Sequence, residues 1–447
     1  MNTILRRFPS LMLSALLTVS LAAAQDQGDQ PAQPTFVEER AQVPAIFSGA
    51  SDTLSFSSET ERSNYLRGGI SVGANFDDNA LNATTNPTSD TSYSVLPYIA
   101  LDQTRSRLKW TLDYHGGLTV NQRLSERNQG SHALSADLAY RLSPHVTLHL
   151  RDNFSLTSNF YNQLQNGIGT PVTGGIGQPN QFVITPLAQR LTNLGAVDIS
   201  YQFSARDMVG AGGTFYDSRF RDLPVGATTL FDSSTRGANA FYSHGFTPRN
   251  WTGFAYQFQD LSFAPGTSST RSHSFLLFHT INLQTNMTLS VFAGPERTEL
   301  EIGSVTAGAA SWSTMAGGNF GWQGQRTSLR LNGLRRVSDG GGLLAAVRLT
   351  SVDGAVRRQL TRFSTVGIGG LYGDSNSLSG TTEARLKTAS GSAFWEQQLG
   401  RMFALTLGYA RDHQNGTGNG SSVTVGDVDH NRAWVTLSYN FTRPLGR

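Results

Sequence analysis

The stretch LKWTLDYHGGLTVN, Leu108 to Asn121, alternates in character almost throughout its fourteen residues. Leu108, Trp110, Leu112, Tyr114, Leu118 and Val120 fall on one side of an extended chain. Lys109, Thr111, Asp113, His115, Thr119 and Asn121 fall on the other, as the two-residue period of a β-strand requires. Ordinary strands run about 5–6 residues, whereas a tilted strand that crosses a bilayer takes about 9–11. The same pattern returns elsewhere. Leu134, Leu138, Tyr140 and Leu142 oppose Ser135, Asp137 and Arg141, and Phe403, Leu405, Leu407 and Tyr409 oppose Ala404, Thr406 and Gly408. Near the C-terminus Ala433, Val435, Leu437, Tyr439 and Phe441 oppose Trp434, Thr436, Ser438 and Asn440.

Working outward from Leu108, a short phrase precedes each such run. It appears as ALDQTRSRL (Ala100–Leu108), YRLSPHVTL (Tyr140–Leu148), YQFSARDMV (Tyr201–Val209) and HGFTPRNWT (His244–Thr252). It continues as INLQTNMTL (Ile281–Leu289), GWQGQRTSL (Gly321–Leu329), RQLTRFSTV (Arg358–Val366) and QQLGRMFAL (Gln397–Leu405). The fourth residues of these phrases are separated by 40, 61, 43, 37, 40, 37 and 39 positions. Each unit holds two long strands, one tight turn and one longer loop rich in Asn, Gly, Ser, Thr and Asp. Eight tight turns alternating with nine longer loops predict a transmembrane antiparallel up-and-down β-barrel of eighteen strands. One misread hairpin would make it roughly sixteen or twenty. A β-propeller also repeats at about 40–45 residues, but its blades hold four short strands with a recurring signature that is missing from this sequence.

Composition fits that reading. The 447 residues include no cysteine and 47 glycines; 38% are apolar, 15% are charged, and the mean hydropathy is −0.27. A helical polytopic membrane protein needs repeated apolar runs of about 20 residues and is excluded. Disulfide scaffolds, thiol catalysis and Cys-ligated zinc are excluded as well. Arg6 and Arg7, the apolar run Leu11 to Leu21 and Ala22-Ala23-Ala24 read as a secretory signal peptide over 1–24. Its cleavage lowers the formal net charge from +3 to +1, so the basic pI is no footprint of nucleic-acid binding. Residues 25–62 read as a Gln-, Pro- and Ser-rich periplasmic lead-in, 63–441 as the barrel and 442–447 as a short periplasmic tail.

WVTLSYNF (Trp434–Phe441), with Tyr439 and Phe441 at alternate positions, resembles the terminal-strand signal by which bacterial outer-membrane barrels are recognised for assembly. The family pattern ends on the aromatic residue, whereas here Thr442 to Arg447 follows. The region from about Asn64 to Phe441 is similar to porin-like barrels. NFDDN (Asn75–Asn79), SVFAGPERT (Ser290–Thr298) and VSDGGGL (Val337–Leu343) resemble segments of barrels associated with exopolysaccharide production and export. These resemblances imply outer-membrane lipid and the barrel-assembly machinery as partners. They also imply a passive pore for hydrophilic solutes or for a secreted polysaccharide. The alternative is a non-conducting surface barrel with a plugged lumen.

Between Arg326 and Arg362 there are eight arginines against Asp339 and Asp353. If Leu329, Leu331, Val347, Leu349 and Leu386 face lipid, alternation turns Arg330, Arg336, Arg348, Arg385 and Lys387 inward. Such a basic, pore-lining sector would favour an anionic solute. Lumen charges paired with acids such as Asp113, Asp137 and Asp198 are the plainer expectation. The loop from Ser158 to Gln189 carries no Asp, Glu, Lys or Arg but has Phe160, Tyr161 and Phe182 with several amides. It follows the fifth strand, as the constriction loop of general porins does, but an exterior position is expected because it lacks their acidic residues. No triad, phosphate loop or His cluster at ligand spacing stands out, so neither catalysis, a cofactor nor a metal is expected.

Overall fold

The computed structural model describes residues 64–157, 180, 182–185, 188–221, 230–264, 268–302, 305–306, 310–378, 384–418 and 427–445. The expected signal peptide and lead-in lie outside the described residues, as do Phe160 and Tyr161. The first strands are β1 (Tyr65–Asp77), β2 (Asp90–Thr104), β3 (Leu108–Asn121), β4 (Gln129–Arg141), β5 (Val146–Thr157) and β6 (Gln189–Gln202). They are followed by β7 (Asp207–Arg221), β8 (Asp232–Thr247), β9 (Asn250–Ala264), β10 (Ser268–Gln284) and β11 (Met287–Ile302). A two-residue piece, β12 (Val305–Thr306), pairs only with the end of β11. The wall resumes with β13 (Ser311–Gln323), β14 (Thr327–Gly340), β15 (Leu344–Thr361) and β16 (Ser364–Ser377). It ends with β17 (Ala384–Gln398), β18 (Phe403–Gly418) and β19 (Val428–Pro444).

Setting β12 aside, eighteen long strands pair antiparallel with their sequence neighbours, and β19 pairs with β1 from Tyr65↔Pro444 to Asp77↔Arg432. The sheet is thus a closed ring, the all-β up-and-down barrel of eighteen strands that the forty-residue period predicts. The tight turns fall where the recurring phrases place them, at residues 105–107, 142–145, 203–206, 248–249, 285–286, 324–326, 362–363 and 399–402. One boundary moves: β19 continues to Pro444, three residues past Phe441, so strand occupies part of the expected tail.

Side-chain parity sorts the two faces. On β10, Thr270, Ser272, Ser274, Leu276 and Phe278 are buried inward, while Arg271, Phe275 and Leu277 are exposed outward. Around the ring the exposed apolar residues include Val72, Val95, Leu118, Ile199, Phe254, Val291, Leu331, Val352, Ile368 and Leu437. An apolar surface of that extent on a soluble protein would be an aggregation site; on a barrel it is the face that meets hydrocarbon.

The glycines have a packing role. Phe241 lies over Gly210, Phe278 over Gly253, Phe292 over Gly317 and Trp434 over Gly408, each ring occupying the place a neighbour's Cβ would take. Aromatic rings covering cross-strand glycines restore contact area without bulk. Three of these inner rings belong to one apolar band, formed with Met208, Ala255, Leu276, Met315 and Leu334. A Cβ on Gly253 would stand 2.0 Å from the Tyr242 carbonyl oxygen and 2.4 Å from the Phe278 ring, whereas one on Gly391 meets nothing within 4 Å. Gly253→Ala should therefore destabilise the folded barrel by about 1–3 kcal/mol, and Gly391→Ala by less than about 0.5 kcal/mol. Urea midpoints of the refolded variants, read by heat-modifiable gel mobility, check the pair.

Candidate functional site

Lumen-facing residues of adjacent strands meet directly across the ladder or one step along its diagonal, and this places charges in cross-strand pairs. Arg67 of β1 donates to Asp102 of β2 at 2.9 Å, and Arg151 of β5 to Asp198 of β6 at 3.1 Å. The Asn332 amide of β14 donates to Asp353 of β15 at 2.8 Å. Near the long-loop end Arg432 of β19 donates to the fully buried Asp412 of β18 at 2.8 Å. His430 bonds Asp77 of β1 and so links the two strands that close the ring. Removing one member of such a buried pair leaves an uncompensated charge, typically at about 3–5 kcal/mol. Sequence reading missed the cluster of Asp77, Asp412, His430 and Arg432. Its signal was parity: Asp412, His430 and Arg432 alternate with the outward Tyr409, Ala433 and Val435.

The described part of the loop between β5 and β6, residues 180, 182–185 and 188, does not lie outside. The Asn180 backbone N–H donates to Asp339 at 2.7 Å and its side-chain amide to Ser375 Oγ of β16 at 3.2 Å. Phe182, almost wholly buried, packs on Gly373 of β16. Ile184 exchanges backbone hydrogen bonds of 2.7 and 3.0 Å with the Gln414 side chain of β18, and the Asn82 amide donates to the Thr185 carbonyl at 2.8 Å. Gly373, Ser375 and Gln414 all face inward. In the ring order β16 stands nine strands from β6, half of the eighteen. Asn180 and Phe182–Thr185 therefore cross the lumen, which corrects the exterior placement for the described part of the loop. Apart from the Asp339 carboxylate, what holds it is neutral amide and backbone bonding, which charge composition cannot reveal.

A second insert comes from the wall. β14 pairs with β13 only between Ser328 and Arg335, so from Arg336 onward it parts from β13 while still paired with β15, which keeps its own ladder with β16 as far as Val347. Gly341 and Gly342, at φ +65° and +98°, make the tight reversal at its tip. The hairpin reaches inward as far as β8, five strands away in the ring. Phe231 N–H donates to the Gly342 carbonyl at 2.8 Å, Ser233 Oγ of β8 donates to Asp339 at 3.3 Å, and Val337 N–H bonds the Glu296 carboxylate of β11. Val337 and Ala346 pack on Leu261 and Phe263 of β9. The other face of the hairpin, Leu343, Leu344, Val347 and Leu349, packs with Phe182, Val183, Ala188, Leu230 and Leu386. Two inserts thus share one apolar core inside the barrel.

That core corrects part of the expected basic sector. Val347, Leu349 and Leu386 face inward because the inserts cover them, so the opposite parity falls to their neighbours. Arg348 lies opposite Val337 in the ladder, on the hairpin face turned to the β8–β11 wall. Arg385 and Lys387 lie opposite Asn376 and Asp374, on the outer face with Ile368 and Tyr372, and Arg385 is paired with Asp374. Arg330 and Arg336 face inward and are buried. Tyr439 and Phe441 lie on the outer face of the closing strand, Tyr439 against the Phe403 ring at 5.3 Å.

At the short-turn end a cavity of about 480 Å³ opens against the inner faces of β3 to β7. Arg105, Arg107, Lys109, Arg141, His145 and His149 line it with Ser200 and Gln202, and no carboxylate does. Lys109 and His149 both pair with Ala139, whose small side chain leaves the floor open. Asp137 and Asp198 lie nearby, each opposite or bonded to Arg151.

A closed ring of long antiparallel strands, apolar outside and polar inside, defines a transmembrane β-barrel of the bacterial outer membrane, and that is where this protein resides. No protein-family model matches the sequence, and no curated protein does. Among solved structures the chain is similar to OccK2 (OpdF) of Pseudomonas aeruginosa, with TM-score 0.46 and 12% identity over 85% of this chain and 98% of that one. The outer-membrane protein OpdK of the same organism gives 0.44 and 12% over 85% and 99%. A BenF-like porin from Pseudomonas fluorescens gives 0.45 and 13% over 85% and 99%.

Because the chain has no native cysteine, a single Val183→Cys reports on the crossing segment. Its thiol should react slowly with a bulky maleimide. Adding Asp339→Ala, which removes the carboxylate that accepts from Asn180 and Ser233, should speed labelling by roughly tenfold or more.

Proposed function

We propose that the protein is a passive channel for small hydrophilic solutes, narrowed inside by the segment Asn180–Thr185 and by the β14–β15 hairpin. The observation that carries the reading is the short-turn cavity, solvent-sized and lined by Lys109, Arg141, His149, Ser200 and Gln202. Cations without a carboxylate in the lining would concentrate anions there, a different place from the sector expected along β14 to β17. Two inserts across one lumen fit the passage of small solutes better than that of an extended polysaccharide.

A second reading is a non-conducting barrel plugged by its inserts. The shared apolar core of Phe182, Val183, Leu344, Val347 and Leu349 favours it. Planar-bilayer recording of the refolded mature chain separates the two. Stepwise channel events are expected, and their complete absence would leave the plugged barrel standing. Lys109→Glu with Arg141→Glu should lower the chloride-to-potassium permeability ratio roughly fivefold, the effect of about 1 kcal/mol in a water-like medium. An unchanged reversal potential would remove the cavity from the selectivity path.

A further inference from the structure

The two rims of the barrel differ in charge. Of the eight short turns, six contain arginine and none contains Asp or Glu. At the other end the signs are mixed, with Asp77, Asp78, Asp90, Asp232, Asp427 and Asp429 at the roots of the long loops beside Arg123, Arg127, Arg219, Arg221 and Arg411. Leaving aside Arg105 and Arg107, which line the cavity, the short-turn rim presents Arg206, Arg249, Arg326, Arg358, Arg362 and Arg401. All six are exposed, and none has a carboxylate partner among the described residues. The nearby Asp207 is already engaged by Ser204, Tyr242 and His244. Glu396 faces Arg357 instead.

Exposed apolar side chains sit in or beside the same turns. Phe203 accompanies Arg206, Phe246 accompanies Arg249, Phe363 follows Arg362 and Met402 follows Arg401, the four side chains being 49–61% exposed. Leu360 lies on the outer face with Arg358 and Val352. Four of the turns therefore offer a ring or thioether chain for the acyl edge of a leaflet together with a guanidinium in or beside the same turn. That combination suits a phospholipid, whose phosphate lies just beyond its chains. A planar guanidinium can take two phosphate oxygens at once.

We infer that this rim is an interaction surface for anionic phospholipid headgroups of the leaflet at the short-turn end. An acidic soluble protein is a poorer fit, because the cations border the lipid-facing apolar belt. The surface is independent of conduction through the lumen.

The test uses the mature full-length chain, reconstituted in vesicles of equal parts phosphatidylcholine and phosphatidylglycerol. Lipids that remain bound after extraction into mild detergent are then read by native mass spectrometry. Phosphatidylglycerol should be enriched in the retained set. Replacing the six arginines by glutamine should lower that enrichment at least about tenfold, since each surface cation contributes roughly fivefold. Replacement by lysine should retain most of it. Heat-modifiable gel mobility shows whether each variant folds. Should the sixfold variant fail to fold, R206Q/R249Q and R362Q/R401Q should each lower the enrichment several-fold. No preference in the native protein, or equal enrichment in folded glutamine variants, would overturn the proposal.

Discussion

The hydrogen bonding of β1 to β19 is the interaction on which the rest of the molecule depends. In hydrocarbon no water is available to an unpaired N–H or C=O, and each one left over costs several kcal/mol. A sheet of this size can lie in a membrane only if its first and last strands meet. They do so over thirteen residue pairs, from Tyr65↔Pro444 to Asp77↔Arg432. Once the ring closes, strand parity assigns every side chain to lipid or lumen, and the buried Asp77–His430 bond locks the junction from inside.

Closure also explains why so much of the fold is legible in the chain. The period of two in Leu108–Asn121 and the recurring phrase before each run are local properties that a membrane enforces at every strand. Nothing in the rest of the protein can override them without exposing polar groups to lipid. The turns at 105–107, 248–249 and 399–402 accordingly lie where the phrases place them.

The interior was less legible, for the same physical reason in reverse. The rule that apolar side chains point to lipid assumes a lumen containing only water. Val347, Leu349 and Leu386 break it, because an inward hairpin and the Asn180–Thr185 segment give them a dry surface to cover. Arg348, Arg385 and Lys387 were misplaced along with them. The bonds that hold the inserts run between residues such as Asn180 and Ser375, or Ile184 and Gln414, far apart in sequence. Their side chains are ordinary amides and hydroxyls. No local pattern marks them out.

The departure of β14 from β13 also bears on how the wall would come apart. That junction keeps eight residue pairs, against thirteen where the chain's two ends meet. The upper residues of β13, Ser311 to Met315, have β11 on one side and no ladder partner among the described residues on the other. Under heat or lateral tension a cylinder splits along its shortest row of rungs. For this one, that row is mid-chain between β13 and β14, so unrolling would begin there and leave the terminal strands clasped until late.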